Sequence, residues 1–189
     1  MRFAWIVLGS LAFAGSACTK SSAPQLQQTA TIKDIMDSMV DPSADVLWDS
    51  IETVISAAGI EEKMPRTDEE WADVHRAAVR LVEATNLLLM PGRHVAKPGE
   101  KAENPEVELG PEDIEKRITA DWPAWIALAH GLHDAAVPAL RATEARDVPG
   151  LFAAGDKIDT ACENCHQKYW YPPDANRLAP SLKKLPGTP

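Results

Sequence analysis

The residues whose types and spacing could do chemistry form one short run near the C-terminus, Cys162-Glu163-Asn164-Cys165-His166. Two thiols three positions apart, followed at once by an imidazole, make the C-x-x-C-H signature of covalent haem attachment. At about 100° per residue of α-helix, Cys162, Cys165 and His166 project from one face. The motif predicts one covalently attached haem c, bound through both thiols, with His166 as the proximal ligand of the iron.

A Cys-x-x-Cys pair also occurs in thiol–disulfide oxidoreductases and in structural zinc sites. The oxidoreductase version opens a helix after a strand, and no alternation of strand and helix patterns surrounds residues 162–166. A zinc site needs further ligands with matching spacing, which is not found around the remaining histidines, His75, His94, His130 and His133. Haem attachment is therefore the favoured interpretation.

The N-terminus has the pattern of an export signal. Met1-Arg2 is a short basic region, residues 3–14 form an apolar run, and residues 15–17 are small. This pattern predicts a signal peptide over residues 1–17, since the apolar run is too short to span a bilayer comfortably. Export agrees with the haem motif because covalent haem attachment in bacteria takes place outside the cytoplasm.

The residue after the predicted signal peptide, Cys18, suggests a membrane anchor. Small residues leading into a cysteine resemble a bacterial lipobox, in which that cysteine is acylated. Residues 18–28 are polar and suit a tether between an anchor and a folded domain. We expect a periplasmic lipoprotein held at the membrane through Cys18. The alternative is cleavage after Ala17 and a soluble periplasmic protein.

Composition narrows the classes of function. The chain has 189 residues, which fits one domain, and 45% hydrophobic residues, which can supply a core. Its formal net charge is −9, so binding to nucleic acid or to anionic lipid would work against its own field.

Apolar residues recur at helical spacing along the chain, and no segment has the alternation of a strand. This predicts an all-α fold, an antiparallel four-helix bundle with the haem motif on its last helix. The apolar stripe of that helix includes Phe152, Ile158 and Tyr169, so the haem ligands should lie on its buried face. The four predicted helical segments are residues 31–57, 67–88, 111–140 and 147–170.

Local signals predict where these segments start and bend. Asp41 is a suitable N-cap and Pro42 a suitable first residue of a new helix, which leaves open two helices or one kinked helix. Thr67 and Glu70 form a capping box at the start of the second segment. Pro123 and Pro138 should bend or break the third segment, and residues 93–110 read as a long crossover loop.

The run from Cys162 to Tyr169, C-x-x-C-H-x-x-aromatic at the end of the last of four helices, resembles the cytochrome c′ family. The resemblance covers roughly residues 29–171 and implies a four-helix haem domain over residues 29–172, followed by a C-terminal tail, residues 173–189. Trp170 departs from the family, which commonly has Arg or Lys there.

The resemblance implies that the first helix covers the side of the haem opposite His166, with an apolar residue or a methionine facing the iron. Met36 and Met39 lie on this helix, and at three residues apart both can face the core while only one reaches the iron. We expect Met36 as the distal ligand because it lies deeper within its helical segment. The alternative for either methionine is gap filling in the core.

A haem bound by histidine and methionine suits single-electron exchange with redox partner proteins. The alternative function is a five-coordinate haem protein that binds NO or CO. No acid–base constellation stands out, so we expect no enzymatic activity. Relatives pair through their first helices, which leaves a homodimer open. Arg93, just after a Pro-Gly turn, is a candidate partner for a haem propionate.

Overall fold

A computed structural model describes residues 26–57 and 59–172 of the chain. The predicted signal peptide, Cys18, most of the tether and the C-terminal tail lie outside these residues. The described part is mostly helical. Its elements are α1 (Ile32–Ile35), a π-helical segment (Met36–Val40), α2 (Asp41–Asp49), β1 (Glu52–Ser56), β2 (Gly59–Lys63), α3 (Asp68–Leu88), α4 (Pro111–Ala120), α5 (Trp122–Ala145) and α6 (Val148–Tyr169).

The elements α1, the π-helical segment and α2 follow one another without a break, and together they are called the first helix below. The prediction that Asp41 caps a new helix is wrong, because its side chain makes no capping hydrogen bond. Its backbone N–H instead donates to the carbonyl of Met36, five residues back, as in a π-helix. Pro42 follows directly and has no N–H to donate. The wider π-helical turn carries the chain past this proline within one helix.

The first helix ends at Asp49 rather than near Ala57, and a β-hairpin follows it. Strands β1 and β2 pair antiparallel, from Glu52 opposite Lys63 to Ser56 opposite Gly59. The prediction of a chain without strands is therefore wrong at this hairpin. The β-branched run Thr53-Val54-Ile55 favours a strand locally, although its spacing also fits the end of a helix.

Two helix starts are set by side-chain hydrogen bonds, and the sequence predicts the one made by Thr67. The Thr67 hydroxyl accepts from the N–H of Glu70 at 3.1 Å, while the Glu70 carboxylate accepts from the N–H of Thr67 at 2.9 Å, which completes the capping box of α3. The Asp147 carboxylate accepts from the N–H of Gly150 at 3.1 Å and caps α6. A Cβ atom at position 150 would lie too close to that carboxylate, so a larger residue there would require the Asp147 side chain to shift.

The third predicted segment divides into α4 and α5 at Asp121, whose carboxylate accepts from the N–H of Ala124 at 3.2 Å. Pro123 lies in the first turn of α5, where a missing N–H costs little. The predicted break at this proline is confirmed. Pro138 does not break α5, which continues to Ala145.

Helix α5 packs against α3 and α6, and the first helix packs against the same two helices. Helices α3 and α5 run antiparallel, since the indole of Trp125 donates to the carbonyl of Leu88 at 2.8 Å while His75 meets Thr143 near their opposite ends. The apolar stripes of these helices form one buried core, which includes Ile35, Val40, Ala77, Leu81, Ala136, Ala139, Leu151 and Ile158.

One residue of the predicted stripe on α6 is misplaced. The side chain of Phe152 is 60% exposed, whereas its neighbour Leu151 is buried. Because residues 151 and 152 differ by about 100° around the helix, Leu151 takes the core position and Phe152 is turned toward solvent.

Candidate functional site

The candidate site is a cleft between the first helix, α5 and α6, beside the C-x-x-C-H run. It has a larger part of about 220 Å³ and a smaller part of about 30 Å³. The two parts share five lining residues, Met36, Asp41, Trp125, Cys165 and His166, and are therefore neighbouring parts of one cleft.

Cys162, Cys165 and His166 lie on α6 and all three line this cleft. They are partly buried, and the two thiols pack against the hydrophobic core without forming a disulfide. Helical spacing explains this placement, since positions i, i+3 and i+4 share one face. The structure thus brings together the two thiols and the imidazole that the motif predicts as one site.

Burial makes both thiols weak acids. It raises the pKa of Cys162 to about 11, and the negative charges of Asp41 and Asp159 add to the rise. It raises the pKa of Cys165 to about 12, with a smaller contribution from Cys162. Reactive thiols of disulfide oxidoreductases have a lowered pKa instead. The electrostatics of this pair therefore do not favour the thiol–disulfide alternative.

The imidazole of His166 is flanked by two aromatic rings that follow it in the chain. Its ring centroid lies 6.1 Å from that of Trp170 and 6.3 Å from that of Tyr171. The carbonyl of His166 accepts from the N–H groups of both residues, at 2.8 and 3.0 Å. The carbonyl of Trp170 in turn accepts from Leu109 at 2.8 Å, which attaches the crossover loop to the end of α6.

The two candidate methionines differ in position. Met36 lines both parts of the cleft, on the wall formed by the first helix. Met39 is also partly buried against the core but does not line the cleft. Both belong to the π-helical segment. Of the two, Met36 is the methionine that shares a cavity with His166.

The rest of the smaller part is apolar. Leu128, Ala129 and Leu132 of α5 contribute side chains to its wall, and Leu88 at the end of α3 closes it. Apolar lining with a few donor atoms is typical of cofactor sites. These walls would exclude water from a ring held by the two thiols.

Two basic residues have roles that the sequence did not reveal. Lys33 lines the larger part of the cleft, with a side chain 23% exposed, and pairs with Glu103 of the crossover loop at 2.8 Å. Arg93, the predicted partner for a propionate, does not line the cleft, and its guanidinium donates to the carbonyls of Leu87 and Ala30. The i, i+3 spacing of Lys33 and Met36 on the first helix is the signal that could have found Lys33.

Asp41 is a second residue that the sequence analysis missed as part of the site. It lines both parts of the cleft. Partial burial raises the pKa of its carboxyl group, with smaller upward contributions from Asp37 and Asp45, while the nearby His166 lowers it. Asp41 on the first helix and His166 on α6 therefore line the same cleft, one with a carboxyl group and the other with an imidazole.

The structure does not test the predicted lipid anchor, because Cys18, the predicted lipidation site, lies outside the described residues. Within residues 26–57 and 59–172, no three His, Cys, Asp or Glu side chains are grouped so that they could hold a metal ion. None of the helices in the same ranges is long and apolar enough to cross a bilayer.

Comparison with known proteins gives no match. No family model matches the chain, and neither a curated protein nor a solved structure is significantly similar to it. The function is therefore inferred from the C-x-x-C-H run and from the cleft.

Proposed function

We propose that the chain is an exported c-type cytochrome with one haem, which carries single electrons between redox partner proteins. The observation that carries the proposal is the common cleft of Cys162, Cys165, His166 and Met36. Two thiols and an imidazole line it from α6, and a thioether lines it from the first helix. This donor set is that of a covalently attached haem with histidine and methionine as axial ligands.

In this proposal Cys162 and Cys165 would hold the haem through thioethers, and His166 and Met36 would be the ligands of its iron. When bound, the haem supplies a one-electron couple between its ferrous and ferric states. The chain's own part would be to fix the ligands, to exclude water with the apolar residues of α5, and to offer the Lys33 ammonium as a positive charge in the cleft. No enzymatic step is required of these residues.

The helix packing supports the same class. Four helical runs, the first helix, α3, α5 and α6, contact one another in neighbouring pairs, and the C-x-x-C-H run lies near the end of the last one. We infer an antiparallel four-helix bundle of the cytochrome c′ type. The β-hairpin and the long crossover loop are additions to that plan.

The test is covalent haem attachment. The protein is produced in a bacterial periplasm with the haem maturation apparatus, and haem is stained after denaturing electrophoresis. The wild type should retain haem, whereas Cys162→Ala and Cys165→Ala each remove one thioether and should retain much less. Cys18→Ser is the matched control and should keep full staining. A wild-type chain that accumulates in the periplasm without covalent haem would refute the proposal.

Absorption spectra of the ferric and ferrous protein, with and without CO, then separate electron transfer from gas binding. A low-spin spectrum that CO leaves unchanged supports a closed iron with a methionine ligand. A high-spin spectrum that shifts on addition of CO would instead favour the five-coordinate protein that binds NO or CO.

The proposed cellular location of the protein follows from its N-terminal sequence. We propose a periplasmic location, with a lipid on Cys18 as the membrane anchor. Replacing Cys18 with Ser should move the protein from the membrane fraction to the soluble fraction. A wild type that is already soluble would remove the anchor from the proposal without affecting haem attachment.

A further inference from the structure

A second groove lies further along the junction of the first helix and α6, toward the start of α6. It has a volume of about 320 Å³ and is called the Trp48–Phe152 groove. Its walls come from residues 47–51, at the end of the first helix, and from residues 151–159 of α6. Phe152 is 60% exposed and Trp48 is 36% exposed. Two large aromatic side chains that adjoin one groove and face solvent are typical of an interaction site.

Gly155 explains how Trp48 is held in place. The indole N–H donates to the carbonyl of Gly155 at 3.3 Å. A Cβ atom at position 155 would lie 3.2 Å from the Cδ1 atom of Trp48, so the missing side chain lets the ring lie directly against α6. An aromatic side chain that is already fixed loses little conformational entropy when a partner covers it.

The charges at the groove are acidic. Asp156 and Asp159 line it from α6, and Asp45 is exposed on the first helix one turn before Trp48. Lys157 is exposed on α6 but points away, because at about 100° per residue it lies on the far side from residues 152, 155 and 159. Among the described residues that line the groove there is no Lys, Arg or His.

We propose that the Trp48–Phe152 groove is the docking site for a redox partner protein that presents an apolar side chain surrounded by Lys or Arg. The inference deepens the proposed function and rests on it. Charge complementarity carries the choice of partner, because an acidic rim attracts a basic surface and steers its approach. In a symmetric dimer built on this groove, each copy would present the same surface, so Asp156 of one copy would face Asp156 of the other. Because like charges repel, a second copy of the chain is disfavoured as the partner.

The position of the groove suits electron exchange. Gly155 and Cys162 are separated by seven residues of one helix, which is roughly 10 Å along its axis. A partner seated on Trp48 and Phe152 therefore lies beside the part of α6 that carries the proposed haem. The first helix lines both the groove, through Trp48, and the cleft, through Met36.

The test uses a small, strongly basic c-type cytochrome as an immobilised probe and measures its binding to the mature protein by surface plasmon resonance at low ionic strength. Asp156→Lys should weaken binding about tenfold. Phe152→Ser should lower the affinity to about one fifth of that of the wild type. Glu83→Lys and Val79→Ser are the matched controls. Both positions are exposed on α3, which contributes no residue to the lining of the groove, and both changes should leave affinity within about twofold.

Three results would overturn the docking proposal. The groove variants could bind the probe as tightly as the wild type, or the control variants could lose as much affinity as the groove variants. A chain that ends at residue 172 could also bind the probe far more tightly than the full chain. That last result, if Asp156→Lys weakens binding only in the shortened chain, would mean that the basic tail, with Arg177, Lys183 and Lys184, occupies the groove itself. Binding to the probe does not require haem on this chain, so haem staining tests the proposed function separately.

Discussion

Tyr169 stands edge-on to Trp125, with their ring centroids 5.4 Å apart and their planes at 74°. The polar atom of each ring is used as well: the Tyr169 hydroxyl donates to the carbonyl of Asp121 at 3.2 Å, and the Trp125 indole donates to that of Leu88 at 2.8 Å. The final aromatic residue of the C-x-x-C-H-x-x-aromatic run thus connects α6 to the start of α5. Through these contacts Tyr169, three residues after His166, stabilises the wall of the cleft.

This contact gives the first prediction. Tyr169→Phe keeps the ring and loses one hydrogen bond, which should lower the free energy of unfolding by about 1 kcal/mol. Tyr169→Ala removes a buried aromatic ring, which should lower it by about 3 to 5 kcal/mol. Urea unfolding followed by circular dichroism measures both. Equal losses in the two variants would show that the hydroxyl, rather than the ring, stabilises the wall.

The position of the methionines gives the second prediction. Met36 lines both parts of the cleft and Met39 does not. In the haem-loaded protein, Met36→Ala should therefore convert a low-spin spectrum to high spin and allow CO to bind, because the iron loses its thioether ligand. Met39→Ala is the matched control and should leave the spectrum unchanged. The reverse pattern would assign the ligand to Met39.

Much of the fold follows from short-range sequence signals. The capping residues Thr67 and Asp147 predict where α3 and α6 begin, because each cap is made by hydrogen bonds within three residues. The common face of Cys162, Cys165 and His166 follows from helix geometry alone.

Other features depend on contacts that sequence spacing does not reveal. The π-helical segment depends on the backbone bond from Asp41 to Met36, and the same apolar residues would fit an ordinary α-helix. The pattern of residues 52–63 fits both a helix and a strand. The hydrogen bonds between β1 and β2 stabilise the hairpin instead of a helix. The position of Lys33 in the cleft depends on packing between distant helices, as does the hydrogen bonding of Arg93.

The start of the first helix gives the third prediction, on pH. The ammonium of Lys97 pairs with the Asp34 carboxylate at 2.7 Å, and this hydrogen bond, followed by those from Thr31, lowers the pKa of Asp34 to about 2. A carboxyl group whose pKa is lower in the folded state stabilises the fold above its unfolded pKa, about 4, and loses that contribution as the pH falls toward 2.

Asp34→Asn should therefore lower the melting temperature at neutral pH, and the difference from the wild type should shrink as the pH falls from about 4 to about 2. Thermal melts at a series of pH values measure this. Glu106→Gln, at an exposed position in the crossover loop, is the control and should give the same curve as the wild type. A constant difference at all pH values would mean that the charge of Asp34 is not involved.

The fourth prediction concerns Arg93. Its side chain donates to the carbonyl of Leu87 at 3.0 Å, to that of Ala30 and to the sulfur of Met90, and so joins the start of the first helix to the end of α3. Arg93→Ala should lower the free energy of unfolding by about 1.5 to 3 kcal/mol, because hydrogen bonds from a charged donor are lost. Arg93→Lys should recover little of this, since an ammonium does not have the planar set of donors.

Two measurements on these variants separate the structural role of Arg93 from a role at the haem. Urea unfolding should show the loss of stability, and the reduction potential of the haem-loaded protein should stay the same, because Arg93 does not line the cleft. Lys33→Met is the comparison, because Lys33 does line the cleft and its loss should shift the potential. Unchanged stability together with a shifted potential in Arg93→Ala would instead place its guanidinium beside a propionate.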